Sequence, residues 1–371
     1  MSARITGAGQ ALPPAMGQQH LWDGYFRDHY ADDRVARMVW ERSGITTRRG
    51  VVDPTREDVS GWGTGARMER FAQEALPLGS EAVGKALADA GLAPSDVGML
   101  TVVSCTGYAT PGLDILLARD LGMNQDVQRL HVGHMGCYAA LPGLGAVSDF
   151  VAARGRPAVL LCLELTSLHV QPATDSGRSG SPTSADLQQM VAHALFSDAA
   201  AAVVVEPGDG GGGLEVVDVI ARTDTSTADH MTWDVTDLGF KMGLSPKDPN
   251  VLAVHARPVV ETLLDRHGLT PGDVTGWAVH PGGRRIVEVV GEALALSPAQ
   301  LAPSYDVLRD VGNCSSATVL MVLQRLRETT APTPGQYVVA LAFGPGLTLC
   351  GVLLRQRRYI RGGPLSSPTG G

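Results

Sequence analysis

DAGLAPSDVGMLTVV (89–103) and DRHGLTPGDVTGWAVH (265–280) are written in one grammar. In each, a helical stretch runs into a glycine, which takes the left-handed cap conformation without steric cost. A proline-containing turn and an aspartate follow, then an apolar strand. Gly91-Leu92 corresponds to Gly268-Leu269, an offset of 177. Working outward, LHVGHMGCYAALPGL (130–144) corresponds to DVLRDVGNCSSATVL (306–320), with Gly136-Cys137 against Gly312-Asn313 at an offset of 176. A third, weaker pair is ALFSDAAAAVVV (194–205) against LAFGPGLTLCGV (341–352). Near-constant offsets between independent motifs predict two α/β halves of one topology. The glycine run 208–213, GDGGGG, marks their junction. It lacks the Lys-Ser/Thr or G-x-G-x-x-G spacing of a phosphate loop. The halves are accordingly 1–210 and 211–358, with GGPLSSPTGG inside a disordered tail, 359–371.

The bulk numbers are compatible with this. The chain has 371 residues, 44% of them hydrophobic, enough for two domain-sized units. A net charge of −8 speaks against a general nucleic-acid binder, which carries a basic face. The five cysteines (105, 137, 162, 314 and 350) are scattered, odd in number and without a CxxC pair. They fit free thiols in a reducing cytoplasm better than a disulfide or zinc framework. The N-terminus lacks the apolar stretch of a signal peptide, and no apolar run reaches the roughly 18 residues of a membrane span.

The duplication puts Cys137 and Asn313 at equivalent positions, each at the start of a helix. A thiol there feels the positive end of the helix dipole, which favours the thiolate. His280 ends the strand GWAVH and precedes Pro-Gly-Gly. Singly, each residue has an ordinary structural reading. Together, Cys137, His280 and Asn313 form a nucleophile–base–amide set. Cys137 attacks a thioester, His280 holds an imidazolium–thiolate pair, and Asn313 and His280 donate to a developing enolate oxygen. A metal site at His131, His134 and Cys137 is disfavoured, because residues three apart on an extended segment point to opposite faces.

Seven segments then carry a resemblance that runs from about Ile5 to Arg355. They are ERSGITTRR (41–49), SCTGYATPGLD (104–114), GHMGCYAA (133–140), ALFSDAAAA (194–202), GWAVHPGG (276–283), VGNCSSATVL (311–320) and FGPGLT (343–348). The sequence resembles type III polyketide synthases, the chalcone synthase family, and its bacterial members most of all. The resemblance implies a thiolase fold, two duplicated α/β halves in a five-layered αβαβα architecture. It also implies a homodimer that uses acyl-CoA and malonyl-CoA and needs no metal or redox cofactor. Cys137 would load the starter, and malonyl-CoA would lose carbon dioxide beside His280 and Asn313. The family's two gating phenylalanines map onto Phe196 and Phe240. Cavity positions map onto Cys105, Thr106, Thr166 and His169, and the loop residue that crosses to the partner subunit maps onto Thr110. CoA-binding cations are expected at Arg37, Arg42 and Arg48, whereas Arg284 and Arg285 read as a surface pair at a helix start.

Ser197 and Ala199 depart from the family's usual FGDG glycines, and 171–186 reads as a long mobile loop. The small residues at 105, 106, 110 and 166 suggest a long apolar tunnel, hence a fatty acyl starter and an alkylresorcinol or alkylpyrone product; the bulk of His169 runs against this. The rivals are a type III synthase with an aromatic or malonyl starter, an enzyme like ketoacyl-ACP synthase III, and one like 3-hydroxy-3-methylglutaryl-CoA synthase, which needs a glutamate base that no motif here marks. A non-catalytic partner of the same fold would usually have lost its cysteine.

Overall fold

The computed structural model describes residues 2–173, 183–208, 211–245 and 248–357. Nine strands form one sheet. They are β1 (Ala3–Ala11), β4 (Met99–Val103), β5 (Gln128–Val132), β6 (Ala158–Glu164), β7 (Ala199–Pro207), β8 (Gly213–Thr223), β11 (Val274–Val279), β12 (Tyr337–Gly344) and β13 (Thr348–Arg357). Their order is β11-β12-β13-β8-β1-β7-β6-β4-β5. Two short hairpins stand apart: β2 (Ala15–Gly17) with β3 (Thr47–Arg49), and β9 (Met231–Thr236) with β10 (Gly239–Leu244).

Strands β4, β6, β7, β12 and β13 are apolar on both faces, as strands covered on both sides must be. Neighbouring residues therefore enter different cores. On β6, Leu160 packs into the middle of the molecule and Leu161 into an outer core; on β7, Val203 and Val204 divide the same way. On the C-terminal strands, Val338 and Leu354 face the middle while Val339 and Leu353 face the opposite outer core. The helices Ala140–Arg154 and Ala317–Thr329 fill the middle and touch strands of both halves. The Thr64–Ala90 helix covers one outer face, and the Asp248–Asp265 and Arg284–Leu294 helices cover the other. Five layers result, as expected. The two sheets are nonetheless joined, because Ala3–Ile5 of β1 pair with Leu214–Val216 of β8. Truncating a side chain such as Leu160 in the shared core would cost about 2–5 kcal/mol.

The repeated grammar has a repeated geometry. Gly91 and Gly268 have φ of 70° and 64°. Leu92 N–H donates to Leu87 O at 3.0 Å, and Leu269 N–H to Leu264 O at 3.1 Å. In the turns that follow, Asp96 and Asp273 accept from the backbone N–H groups of Ala93 and Thr270, both at 2.8 Å.

Part of the 171–186 segment, 174–182, lies outside the described residues, as does the 359–371 tail. Ser184–Asp186, read from sequence as loop, are already the first turn of the Ser184–Leu195 helix, whose start Thr183 and Asp186 cap reciprocally. Among the described residues, one helix is apolar and long enough to cross a membrane, Gly136–Arg154. It is the central helix, apolar because both sheets surround it.

Candidate active site

Cys137 sits in the single turn Gly136–Tyr138 that opens the first central helix. Gly136 has φ of 70°, and a Cβ there would lie 2.7 Å from Pro345 Cδ. Asn313 opens the second central helix after Gly312, whose φ is 89° and whose added Cβ would lie 2.9 Å from Ser197 Cβ. Both positions need glycine on conformational and steric grounds. Asn313 is held from two sides: its N–H donates to Leu195 O at 3.0 Å, and its C=O accepts from Ser197 N–H at 2.9 Å. Its Oδ1 accepts from Ser315 N–H at 2.9 Å. The side-chain NH2 is thereby turned to the Cys137 thiol.

His280 follows β11, anchored by its N–H to Leu341 O at 2.8 Å. Phe343 packs edge-on against its ring at 5.5 Å. The next residue, Gly344, lies against the Cys137 amide, where a Cβ would come within 3.3 Å. One strand end thus links the cysteine of one half to the histidine of the other. His280 is fully buried, and both its ring nitrogens lack a hydrogen-bond partner. Buried polar atoms almost always have partners, so an imidazole with both nitrogens unpaired is open to a ligand.

Burial lowers the His280 imidazolium to about 3. Burial also pushes the Cys137 thiol up to about 12, with the Ser315 hydroxyl and the Asn313 amide pulling the other way. Burial thus favours the neutral form of each group and opposes the imidazolium–thiolate pair expected from sequence. Two charges in a dry pocket cost more than two neutral groups unless further hydrogen bonds compensate them.

One residue that the sequence reading missed belongs here. Glu164, fully buried at the end of β6, accepts from Cys105 N–H at 3.0 Å, Thr106 Oγ1 at 2.8 Å and Ser316 Oγ at 2.6 Å. Burial raises its pKa while these donors oppose the shift. Cys105 Sγ lies 3.5 Å from Glu164 Oε1 and 3.9 Å from Ser315 Oγ, so the carboxylate reaches the cysteine pocket through a polar relay. Its one signal in the sequence is a lone acidic residue closing the apolar run AVLLCL.

Cys137, Cys105, Thr106, Thr166 and Phe196 line one cavity of about 120 Å³, together with His134, Ser315 and Trp233. Phe240 and His169 do not line it. They stack on each other at 4.6 Å in a neighbouring cavity of about 60 Å³. Phe240, expected as a gate, stands one layer back from the cysteine. Thr110 lies on an exposed loop beside Tyr108, in a surface cavity away from Cys137. Among the described residues, no group of three His, Cys, Asp or Glu side chains is arranged to hold a metal.

The expected CoA cations separate. Arg48 is buried, donates to the carbonyls of His193 and Phe196, and lies over the Phe26 and Trp40 rings. It is a structural cation, not a free one. Arg37 pairs with Asp32 and faces a different cleft. Only Arg42 lines the long apolar channel of about 340 Å³ that passes Gly282, Gly283 and Phe343 beside His280. Arg284 and Arg285, read from sequence as a surface pair, line the same channel. Met231 borders both channel and catalytic cavity.

The pattern defining the N-terminal domain of chalcone and stilbene synthases matches residues 2–209, and that of their C-terminal domain matches 218–357. A 1,3,6,8-tetrahydroxynaphthalene synthase of Streptomyces peucetius subsp. caesius is 37% identical over 88% of this chain and 84% of its own. An α-pyrone-synthesis polyketide synthase of Mycobacterium tuberculosis is 33% identical over the same shares, 88% and 84%. The crystal structure of PKS-I from the brown alga Ectocarpus siliculosus superposes with a TM-score of 0.87 at 30% identity, covering 96% of this chain and 98% of that one.

Proposed function

Since the chain belongs to the chalcone and stilbene synthase family of type III polyketide synthases, we propose that it loads a CoA-borne acyl group on Cys137 and extends it with malonyl-CoA, with His280 and Asn313 acting on the reacting groups. The family works without a metal or redox cofactor. Two observations support the residue assignment: the buried His280 ring has two unpartnered nitrogens, and the Asn313 amide oxygen is already occupied, which leaves its NH2 to donate.

The steps follow from those groups. A ring nitrogen of His280 takes the Cys137 proton as the thiol attacks the thioester carbonyl, and the CoA thiolate leaves with a proton. Malonyl-CoA then loses carbon dioxide. The electron pair of the broken bond becomes an enolate, whose oxygen accepts hydrogen bonds from the Asn313 NH2 and the His280 N–H. The enolate carbon attacks the Cys137 thioester, the new carbon–carbon bond forms, and the thiolate is released. The lengthened chain reloads or cyclises. Relatives named for tetrahydroxynaphthalene and α-pyrone synthesis support a cyclised product. An alkylresorcinol or alkylpyrone from a fatty starter, the product suggested by small cavity residues, is one cyclised product of this kind.

For CoA, we assign the apolar channel to the pantetheine arm and its mouth arginines, Arg42, Arg284 and Arg285, to the phosphates. Arg284 and Arg285 also pair with Glu288, so the phosphates would compete with that carboxylate. We take the working form to be a homodimer in the cytoplasm, where its five free thiols persist. β5 is an open sheet edge with four of its five residues exposed, and Tyr108, Ile115 and Leu130 are exposed at the same end. Edges of this kind need covering. Sedimentation at micromolar concentration tests it: a monomer overturns the dimer.

The test of the whole reading is mass spectrometry. Purified enzyme with malonyl-CoA and a starter should give products carrying several malonyl-derived units, and Cys137→Ala should give none. Activity confined to carrier-protein thioesters would favour the ketoacyl synthase alternative instead.

A further inference from the structure

We propose that His134 is a second proton carrier of this enzyme, the base that closes the product ring and frees it from Cys137; this rests on the synthase reading above. Neither His280 nor Asn313 is among the described residues that line the cavity of about 120 Å³ beside the Cys137 thiol. His280 is fully buried against Phe343. The imidazole that does line the cavity is His134, three residues before the nucleophile, in the segment that joins β5 to the cysteine turn.

Its backbone is held in a costly conformation and its ring is left free. His134 has φ of 61°, uncommon for any residue but glycine. Among the described residues six non-glycine residues have positive φ, and two of them, His134 and Ser315, line this one cavity. Strain of this kind gathers where side chains must be aimed. No hydrogen bond among the described residues holds either ring nitrogen of His134. The residue is also exposed, although it lines the cavity. It therefore stands at an opening, with one side in water and the other toward the chain on Cys137.

The chemistry needs such a group. Each extension leaves a methylene between two carbonyls, whose C–H bonds are acidic. The other polar groups lining the cavity are poor bases. Thr106, Thr166, Thr232 and Ser315 offer hydroxyls, and burial raises the Cys105 thiol well above its ordinary value. An imidazole can both accept and donate a proton. A ring nitrogen of His134 takes the proton from a methylene, or from the enol oxygen formed beside it. The electron pair left on the chain attacks the thioester carbonyl. The ring bond forms, the carbon–sulfur bond breaks, and the imidazolium returns its proton to the Cys137 sulfur. Nothing is oxidised or reduced, and the enzyme ends as it began.

The experiment uses malonyl-CoA with whichever of acetyl-, benzoyl- and palmitoyl-CoA gives most product. It follows released product and, by intact-protein mass spectrometry, the adducts on Cys137. His134→Gly adopts the left-handed backbone without strain. It should slow product release about a hundredfold, the scale of one general base, while extended chains accumulate on Cys137. Excess free imidazole, which can reach an exposed position, should restore release at least about tenfold. His134→Asn tolerates the same backbone and keeps hydrogen-bonding groups, but has no basic nitrogen. It should behave as the glycine variant does without imidazole. Wild-type release rates from either variant, or accumulation that imidazole does not relieve, would overturn the proton-carrier role. Variants stalled with only the starter on Cys137 would place the residue before ring closure and overturn it as well. A wild type that forms no malonyl-derived product would sink the synthase reading and this role with it, whereas an active wild type matched by its variants sinks this role alone.

Discussion

Gly136 precedes Cys137 in the N-terminal half, and Gly312 precedes Asn313 in the C-terminal half. Both glycines have positive φ, and each motif opens one of the two central helices. The backbones are twins, but the side chains have diverged. Cys137 keeps an SH group surrounded by polar neighbours and open to a cavity, whereas Asn313 has its oxygen tied to Ser315 and only its NH2 presented. His280 has no such counterpart in the repeat: it stands at the end of β11, and residue 103, at the corresponding offset on β4, is Val103. Duplication thus supplied two equivalent places for chemistry. On the proposed assignment one serves as nucleophile and the other as hydrogen-bond donor, with the base added on one side.

The sharpest way to break this division of labour is Cys137→Ala. It should lower product formation by at least about 10⁴-fold, the scale of losing a covalent nucleophile, with the fold unchanged by circular dichroism. Asn313→Ala should leave acyl loading on Cys137 detectable but slow malonyl decarboxylation by about 10²–10³-fold, the loss typical of one oxyanion donor. Equal losses in both steps would mean that the two halves are not specialised. Alkylation of the free enzyme by iodoacetamide is the next test. Burial raises the thiol to about 12 and lowers the His280 imidazolium to about 3, and both shifts disfavour a preformed thiolate. The rate should climb about tenfold per pH unit from pH 6 to 10, with no plateau on the acid side. A flat rate between pH 5 and 8 would reveal a resting ion pair instead. The smallest effect expected is on stability. Gly312→Ala, strained at φ of 89° and crowding Ser197, should cost about 1–3 kcal/mol in chemical denaturation. Gly136→Ala, which meets Pro345, should cost a similar amount, and a wide disparity would show that the twin turns are not mechanically equivalent.

The sequence made the repeat and the proposed trio of Cys137, His280 and Asn313 legible, because glycine caps, turn aspartates and strand patterns are local signals. It did not reveal which side of an element a residue serves. Arg48 looks like a surface cation within a TRR triplet, yet the β2–β3 hairpin turns it inward onto two carbonyls and two aromatic rings. Arg284 and Arg285 do form the expected surface pairs with Glu288 while also lining the channel. Phe240 matched a gate by context, but stacking on His169 draws it behind Trp233. Glu164 was hidden because its donors come from 105–106 and 316, segments that meet only in the folded chain.

The place of β1 has a further consequence for biosynthesis on the ribosome. Its neighbours in the sheet are β7, paired Ala3 to Pro207, and β8, paired Ala3 to Val216. At a translation rate of roughly 5–20 residues per second, some ten to forty seconds separate the making of β1 from the making of its partners. Through that interval a half-apolar strand destined for the centre of the sheet has no edge to join. Trigger-type chaperones that shield nascent apolar segments are the natural custodians of such a strand, and recombinant yield should respond to their supply more than to changes in the C-terminal half.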